Sequence, residues 1–212
     1  VKMGDAVALM LPNGPDYLVC WFALAKLGAV TVAINTQLQG ETLAFLLRHS
    51  DSRFLILAEG FQSQWTAVAD QLSTLRVLEW DNPANDQCLT TLCDNMPSEL
   101  IDLPEVSDLH SLILTPTSGT TGMPKLVANR HRAYLQAARD LAAAVQITSQ
   151  DKIFTALPLY HANPQVYCVL TALVADAAMA IAPRFSASAF WAQIKACQAT
   201  ACLLYTSDAA DE

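Results

Sequence analysis

The sequence predicts an α/β fold of layered, mostly parallel sheets with flanking helices. Strand-length apolar runs alternate with helix-length segments along most of the chain, the pattern from which parallel βαβ units are built. Apolar residues make up 53% of the 212 positions and charged residues 15%, which suits a buried sheet and argues against disorder. No internal repeat or low-complexity tract interrupts the alternation.

The elements follow in order. Ala6 to Leu11 reads as a strand, and Pro15 to Leu27 as a helix with Pro15 and Asp16 in its first turn, where helix starts prefer them. Ala29 to Ile34 reads as a strand. Thr42 to His49 reads as a helix with an apolar stripe at Leu43, Leu46 and Leu47. Arg53 to Ala58 is expected as a strand, Phe61 to Leu72 as a helix and Leu75 to Trp80 as a strand. Residues 81 to 108 are polar and poorly periodic, a long surface connection with room for a short helix near Leu89 to Met96. Leu109 to Thr115 reads as a strand, Leu126 to Asn129 as a returning one, and His131 to Val145 as a helix. A strand at Lys152 to Leu157, a helix at Gln165 to Ala175, a strand at Ala177 to Ala182 and a helix at Ala187 to Gln198 complete the series.

The most informative stretch joins the strands on either side of residue 120. Thr117-Ser118-Gly119-Thr120-Thr121-Gly122-Met123-Pro124-Lys125 holds two glycines, four hydroxyls and one lysine in nine residues. Gly119 and Gly122 admit backbone angles closed to other residues, so successive N–H groups can turn inward as a nest for anionic oxygens. The hydroxyls add donors, and Lys125 adds a compact positive charge suited to phosphate. Walker A does not fit, because Lys125 stands three residues after Gly122. The dinucleotide fingerprint G-x-G-x-x-G is absent as well. On composition alone the stretch also reads as a polar surface turn.

The string resembles the signature loop of the adenylate-forming (AMP-binding) superfamily, whose pattern is (Y/F)-(T/S)-S-G-T-T-G-x-P-K-G. Three further segments resemble that family in its order and at about its spacing. They are Gly4 to Asn13 (GDAVALMLPN), Ala25 to Asn35 (AKLGAVTVAIN) and Leu157 to Asn163 (LPLYHAN). The four motifs are spread over most of residues 4 to 201. The stretches Cys20 to Lys26 and Phe185 to Trp191 look closest to carnitine/crotonobetaine-CoA ligase-like and fatty acyl-CoA ligases. The chain departs from the pattern at Leu126, where glycine is usual, at Pro116, where an aromatic is common, and at Ala33, where proline is common. None of the three removes a phosphate ligand.

The resemblance implies ATP-dependent activation of a small carboxylic acid to an acyl-adenylate, followed by thioester formation with coenzyme A, in an AMP-forming acid-thiol ligase. It places Thr117, Ser118, Gly119, Thr120, Thr121, Gly122 and Lys125 on the ATP phosphates, with Mg2+ bridging them, and His161 beside the reacting carboxylate. Read alone, His161 is equally a capping or packing residue. Asn163 shares its segment; Tyr160 and Tyr167 suit core or pocket alike. His131 is expected as a structural residue at a helix start, and Phe190 and Trp191 as helix core. An amino-acid-activating domain of a peptide synthetase and a non-catalytic nucleotide-binding module remain open as other readings.

The bulk properties set further bounds. A formal net charge of −8 argues against nucleic-acid binding. The six cysteines show no metal spacing and lie scattered in apolar runs, which indicates reduced thiols and a cytoplasmic location. The apolar stretches Leu18 to Ile34 and Val166 to Pro183 are broken by Lys26 and Asp176 and divide into helix and strand halves, so no integral membrane segment is expected. The expected organisation is a partial N-terminal AMP-binding domain over residues 1 to 201, with the family's C-terminal lid absent. Residues 202 to 212 resemble a translated sequencing adapter; the natural alternative is a strand at Cys202 to Tyr205 and an acidic loop. The family's later catalytic motifs lie outside these residues, so the polypeptide as it stands is expected to complete neither half-reaction. Oligomeric state is not legible.

Overall fold

The computed structural model describes residues 1–82, 84, 85, 88–97, 102–117 and 123–203. They divide into two units, the first formed by Val1–Pro12 and Asp16–Arg130, the second by Asn13–Pro15 and His131 onward.

The first unit is built on a six-stranded sheet. Its strands are β1 (Ala6–Met10), β2 (Val30–Ala33), β3 (Phe54–Leu57), β4 (Arg76–Glu79), β5 (Ser111–Pro116) and β6 (Leu126–Arg130). They run in the order β4-β3-β1-β2-β5-β6. Every pairing is parallel except β5 with β6, which is a hairpin. Parallel neighbours need crossover connections. Here α1 (Pro15–Lys26), α2 (Gly40–His49), α3 (Gln62–Thr66) and α4 (Leu89–Asp94) lie in those connections. Ala8, Met10, Val32, Leu55 and Leu57 on the strands form one core with Leu43, Ala44, Leu46 and Leu47 of α2. Val7 and Leu9, which alternate to the opposite face, are also fully buried, so the sheet is covered on both sides.

Two local departures have identifiable causes. The helix expected over Phe61 to Leu72 is broken into a 3₁₀ turn (Glu59–Phe61), α3 and a second 3₁₀ turn (Ala69–Gln71). The Thr66 hydroxyl donates to the Gln62 carbonyl at 2.8 Å, a local bond that competes with helix continuation, yet Phe61, Trp65, Val68 and Leu72 still pack on the core. The strand expected from Leu109 begins only at Ser111; Leu109 is in a turn and exposed.

α1 ends where Gly28 turns left-handed, at φ +68°. The Ala29 N–H donates to Leu24 O at 3.0 Å and the Gly28 N–H to Ala25 O at 3.1 Å, so both exposed helix-end carbonyls are satisfied.

The second unit holds a parallel three-stranded sheet of β7 (Lys152–Thr155), β8 (Ala178–Ile181) and β9 (Ala201–Cys202), in the order β8-β7-β9. Its helices are α5 (His131–Ala144), a composite helix and α8 (Ala187–Cys197). The composite starts as α6 (Ala162–Pro164), continues as a π-helical stretch (Gln165–Leu170) and ends as α7 (Thr171–Val174). Successive residues of β7 point to opposite faces. Phe154 packs with Phe190 and Ile194 of α8, and Ile153 with Cys168 and Ala172 of the composite helix. Phe190 is a core residue as expected. Trp191 is not: it is 75% exposed, because α8 turns it away from the face that Phe190 buries. Cys202 pairs opposite Phe154, and residues 204–212 of the expected tail lie outside the described residues.

Candidate functional site

The nine-residue loop is the connection of the β5–β6 hairpin. Pro116 pairs with Leu126, and Thr117 and Lys125 form the next rung. The Thr117 N–H donates to Lys125 O at 2.8 Å, and the Lys125 N–H reaches Thr117 Oγ1 at 3.3 Å. Both residues are exposed. The neck of the loop is therefore closed by one backbone hydrogen bond and one from a backbone N–H to a hydroxyl. An exposed lysine side chain with no ion-pair partner among the described residues and a threonine stand at its mouth, a donor set suited to anionic oxygens. Ser118, Gly119, Thr120, Thr121 and Gly122 lie outside the described residues, so the expected nest is not among the observed features.

His161 is in the second unit. It precedes α6 with extended backbone angles, φ −90° and ψ 147°, in the N-cap position, and its N–H donates to Pro158 O at 3.0 Å. The imidazole is exposed and stands 4.6 Å from the Tyr160 ring, centroid to centroid. Burial pushes the Tyr160 phenol up from its ordinary value. Asn163 is half-buried on α6, Tyr167 is partly exposed, and His131 opens α5 as expected.

Three residues that sequence reasoning gave no site role converge on the His161 segment. The Asn13 amide donates to Leu157 O at 3.2 Å and to Ala182 O at 2.9 Å, and accepts from the Leu159 N–H at 2.8 Å. Gln165 is fully buried. Its Nε2 donates to Leu159 O at 2.8 Å, and its Oε1 accepts from the Tyr134 hydroxyl at 3.1 Å. Asn13 was visible as part of the LPN motif, but its partners are more than 140 residues away along the chain. Nothing in the local sequence separates Gln165 from an ordinary helix-surface glutamine.

Comparison with known proteins settles the family. The family described as "AMP-binding enzyme" matches residues 1–207. The chain belongs to the AMP-binding enzyme family. Among its relatives is the crotonobetaine/carnitine–CoA ligase of Escherichia coli O17:K52:H18, 32% identical over 206 residues, which are 94% of this chain and 40% of that protein. A long-chain-fatty-acid-CoA ligase from Archaeoglobus fulgidus shares the fold with a TM-score of 0.84 at 20% identity, over 94% of this chain and 39% of that one. The o-succinylbenzoate CoA synthetase of Bacillus subtilis, in complex with ATP and magnesium ion, shares it with a TM-score of 0.77 at 23% identity, over 95% and 50%. The chain thus spans about 40% of the length of the curated relatives it matches. Among the described residues, no helix is long and apolar enough to cross a membrane.

Proposed function

We propose that the protein carrying this chain is an AMP-forming acyl-CoA synthetase. A carboxylate oxygen attacks the α-phosphorus of ATP, the O–P bond forms, and the bond to the β-phosphate breaks as pyrophosphate leaves. The sulfur of coenzyme A then attacks the acyl carbon. AMP leaves with the electrons of the C–O bond, and the thiol proton passes to solvent. The acid is already ionised at neutral pH, so the first step needs positioning and charge neutralisation rather than a base.

The observation that carries this reading is the hydrogen-bonded neck with Lys125 at its mouth, in a chain of this family. Thr117, Ser118, Gly119, Thr120, Thr121, Gly122 and Lys125 are assigned to the triphosphate, and His161 to the reacting carboxylate. The donor set at the mouth, a hydroxyl and an ammonium, suits phosphate and repels a bare cation. Magnesium is therefore expected to arrive on the nucleotide, where it neutralises the charge of the leaving pyrophosphate. The six free thiols suit a cytoplasmic setting.

The test is acid-dependent pyrophosphate release and coenzyme A-dependent AMP formation by the full-length protein across a panel of carboxylic acids. Lys125→Ala should lower kcat by about 10²-fold, as loss of one preorganised charged donor does. Release of pyrophosphate without any dependence on added acid would refute the assignment. Adenylate formation with amino acids alone, without turnover of coenzyme A, would move it to the peptide-synthetase reading.

A further inference from the structure

We propose that Asn13 is a positioning residue for the carboxylate end of the site, acting through the backbone of Leu157 to His161; the proposal rests on the function given above. A primary amide offers two donors and an acceptor on one plane. Asn13 uses all three, on Leu157 O, Ala182 O and the Leu159 N–H. β7 ends at Thr155 and β8 at Ile181, so these backbone groups lie beyond the ends of their strands.

The other side of the segment is held by a second amide. Gln165 takes Leu159 O at 2.8 Å and is itself held by the Tyr134 hydroxyl at 3.1 Å. Leu159 is thus held at both its N–H and its C=O by two different side chains. The Pro158–His161 turn bond extends this frame to the residue that carries the imidazole. Burial of Leu157 and Leu159 would hold the segment against the core, but apolar contact is non-directional and sets no register. Directional bonds do.

The geometry also explains the residue type. Aspartate would set lone pairs and a charge against two carbonyl oxygens. Serine supplies one donor, and glutamine is a methylene too long. A shift of about 1 Å in a positioning element can cost about 10²-fold in rate. Gln165 also begins the π-helical stretch, a local widening often found at functional sites.

The experiment uses the full-length protein with Asn13→Asp and Tyr134→Phe, varying acid at saturating ATP and ATP at saturating acid. Asn13→Asp should lower kcat/KM for the acid by 10- to 100-fold while the KM for ATP moves less than two-fold. Tyr134→Phe should move the same parameters in the same direction, by roughly three- to ten-fold, since it loosens one hydrogen bond of the frame. Equal losses for acid and ATP, tracking the folded fraction, would mean a merely structural role and overturn the proposal. If Asn13→Asp does not fold, an unchanged kcat/KM for the acid in Tyr134→Phe overturns it. A wild-type protein that releases no pyrophosphate with any acid would sink the function reading and this proposal with it. An active wild type with an unaltered Asn13→Asp variant would sink this proposal alone.

Discussion

Replacing Gly28 with alanine tests the link between a motif glycine and the fold. Gly28 sits at φ +68°, and a Cβ placed there would stand 2.9 Å from Met3 Cγ and 3.2 Å from Val106 Cγ2. Holding a non-glycine residue left-handed costs about 1–2 kcal/mol. Met3 is exposed, but its Cγ lies next to Cβ rather than at the far end, so the whole side chain must turn to relieve the contact. Val106 is β-branched and has few rotamers to retreat to, which adds about 0.5 kcal/mol. The lower entropy of the unfolded alanine chain returns about 0.4–1 kcal/mol. The expected net loss is roughly 0.5–2 kcal/mol, and with a urea m-value of about 2 kcal/mol/M the midpoint falls by roughly 0.25–1 M. The assay is urea unfolding followed by tryptophan fluorescence, with Gly60→Ala as control. Among the described residues no atom lies within 4 Å of a Cβ at Gly60, and its backbone is not left-handed, so that variant should be neutral or slightly stabilised. If the two variants shift the midpoint equally, the left-handed cap and the close approach do not govern this position.

Three further outcomes are expected. Gln146 and Gln198 end their helices left-handed, at φ 57° and 54°, with the same pair of bonds that closes α1, so Gln146→Gly and Gln198→Gly should each raise stability by about 0.5–1 kcal/mol in thermal unfolding. Burial pushes the Cys20 thiol up to about 12 and the Cys168 thiol up to about 11, and both are buried, so native alkylation at pH 8 followed by mass spectrometry should label exposed Cys93 and spare both. The Asp151 carboxyl is held below the usual carboxylate range, chiefly by the Thr148 N–H and then by the Thr200 and Thr148 hydroxyls. Its folded value lies below its unfolded one, so its contribution is present above about pH 4 and is lost as pH falls through the folded value. Asp151→Asn should flatten that part of the stability profile between pH 5 and pH 2 in urea titrations, and an unchanged slope would remove Asp151 from the account.

The proposed phosphate loop was legible because its chemistry is local: two glycines, the hydroxyls and Lys125 occur within nine residues, and the strands that flank it are apolar runs. The βα alternation was legible for the same reason, since burial periodicity is written in neighbouring residues, as in the Leu43, Leu46 and Leu47 stripe of α2. Where local and long-range forces competed, the sequence misled. Phe61 to Leu72 kept its apolar contacts without keeping one helix, and Trp191, next to buried Phe190, went to solvent.

By itself the sequence determined the fold class and the family, and it singled out the stretch proposed to hold phosphate, because each depends on residue types at short spacing. Tertiary structure alone decided that the loop closes through Thr117 and Lys125, and that Asn13, Gln165 and Tyr134 converge on Leu157 to His161. An amide's two donors and one acceptor do not name their partners; only the folded path of the chain brings Leu157, Leu159 and Ala182 within 3.2 Å of Asn13.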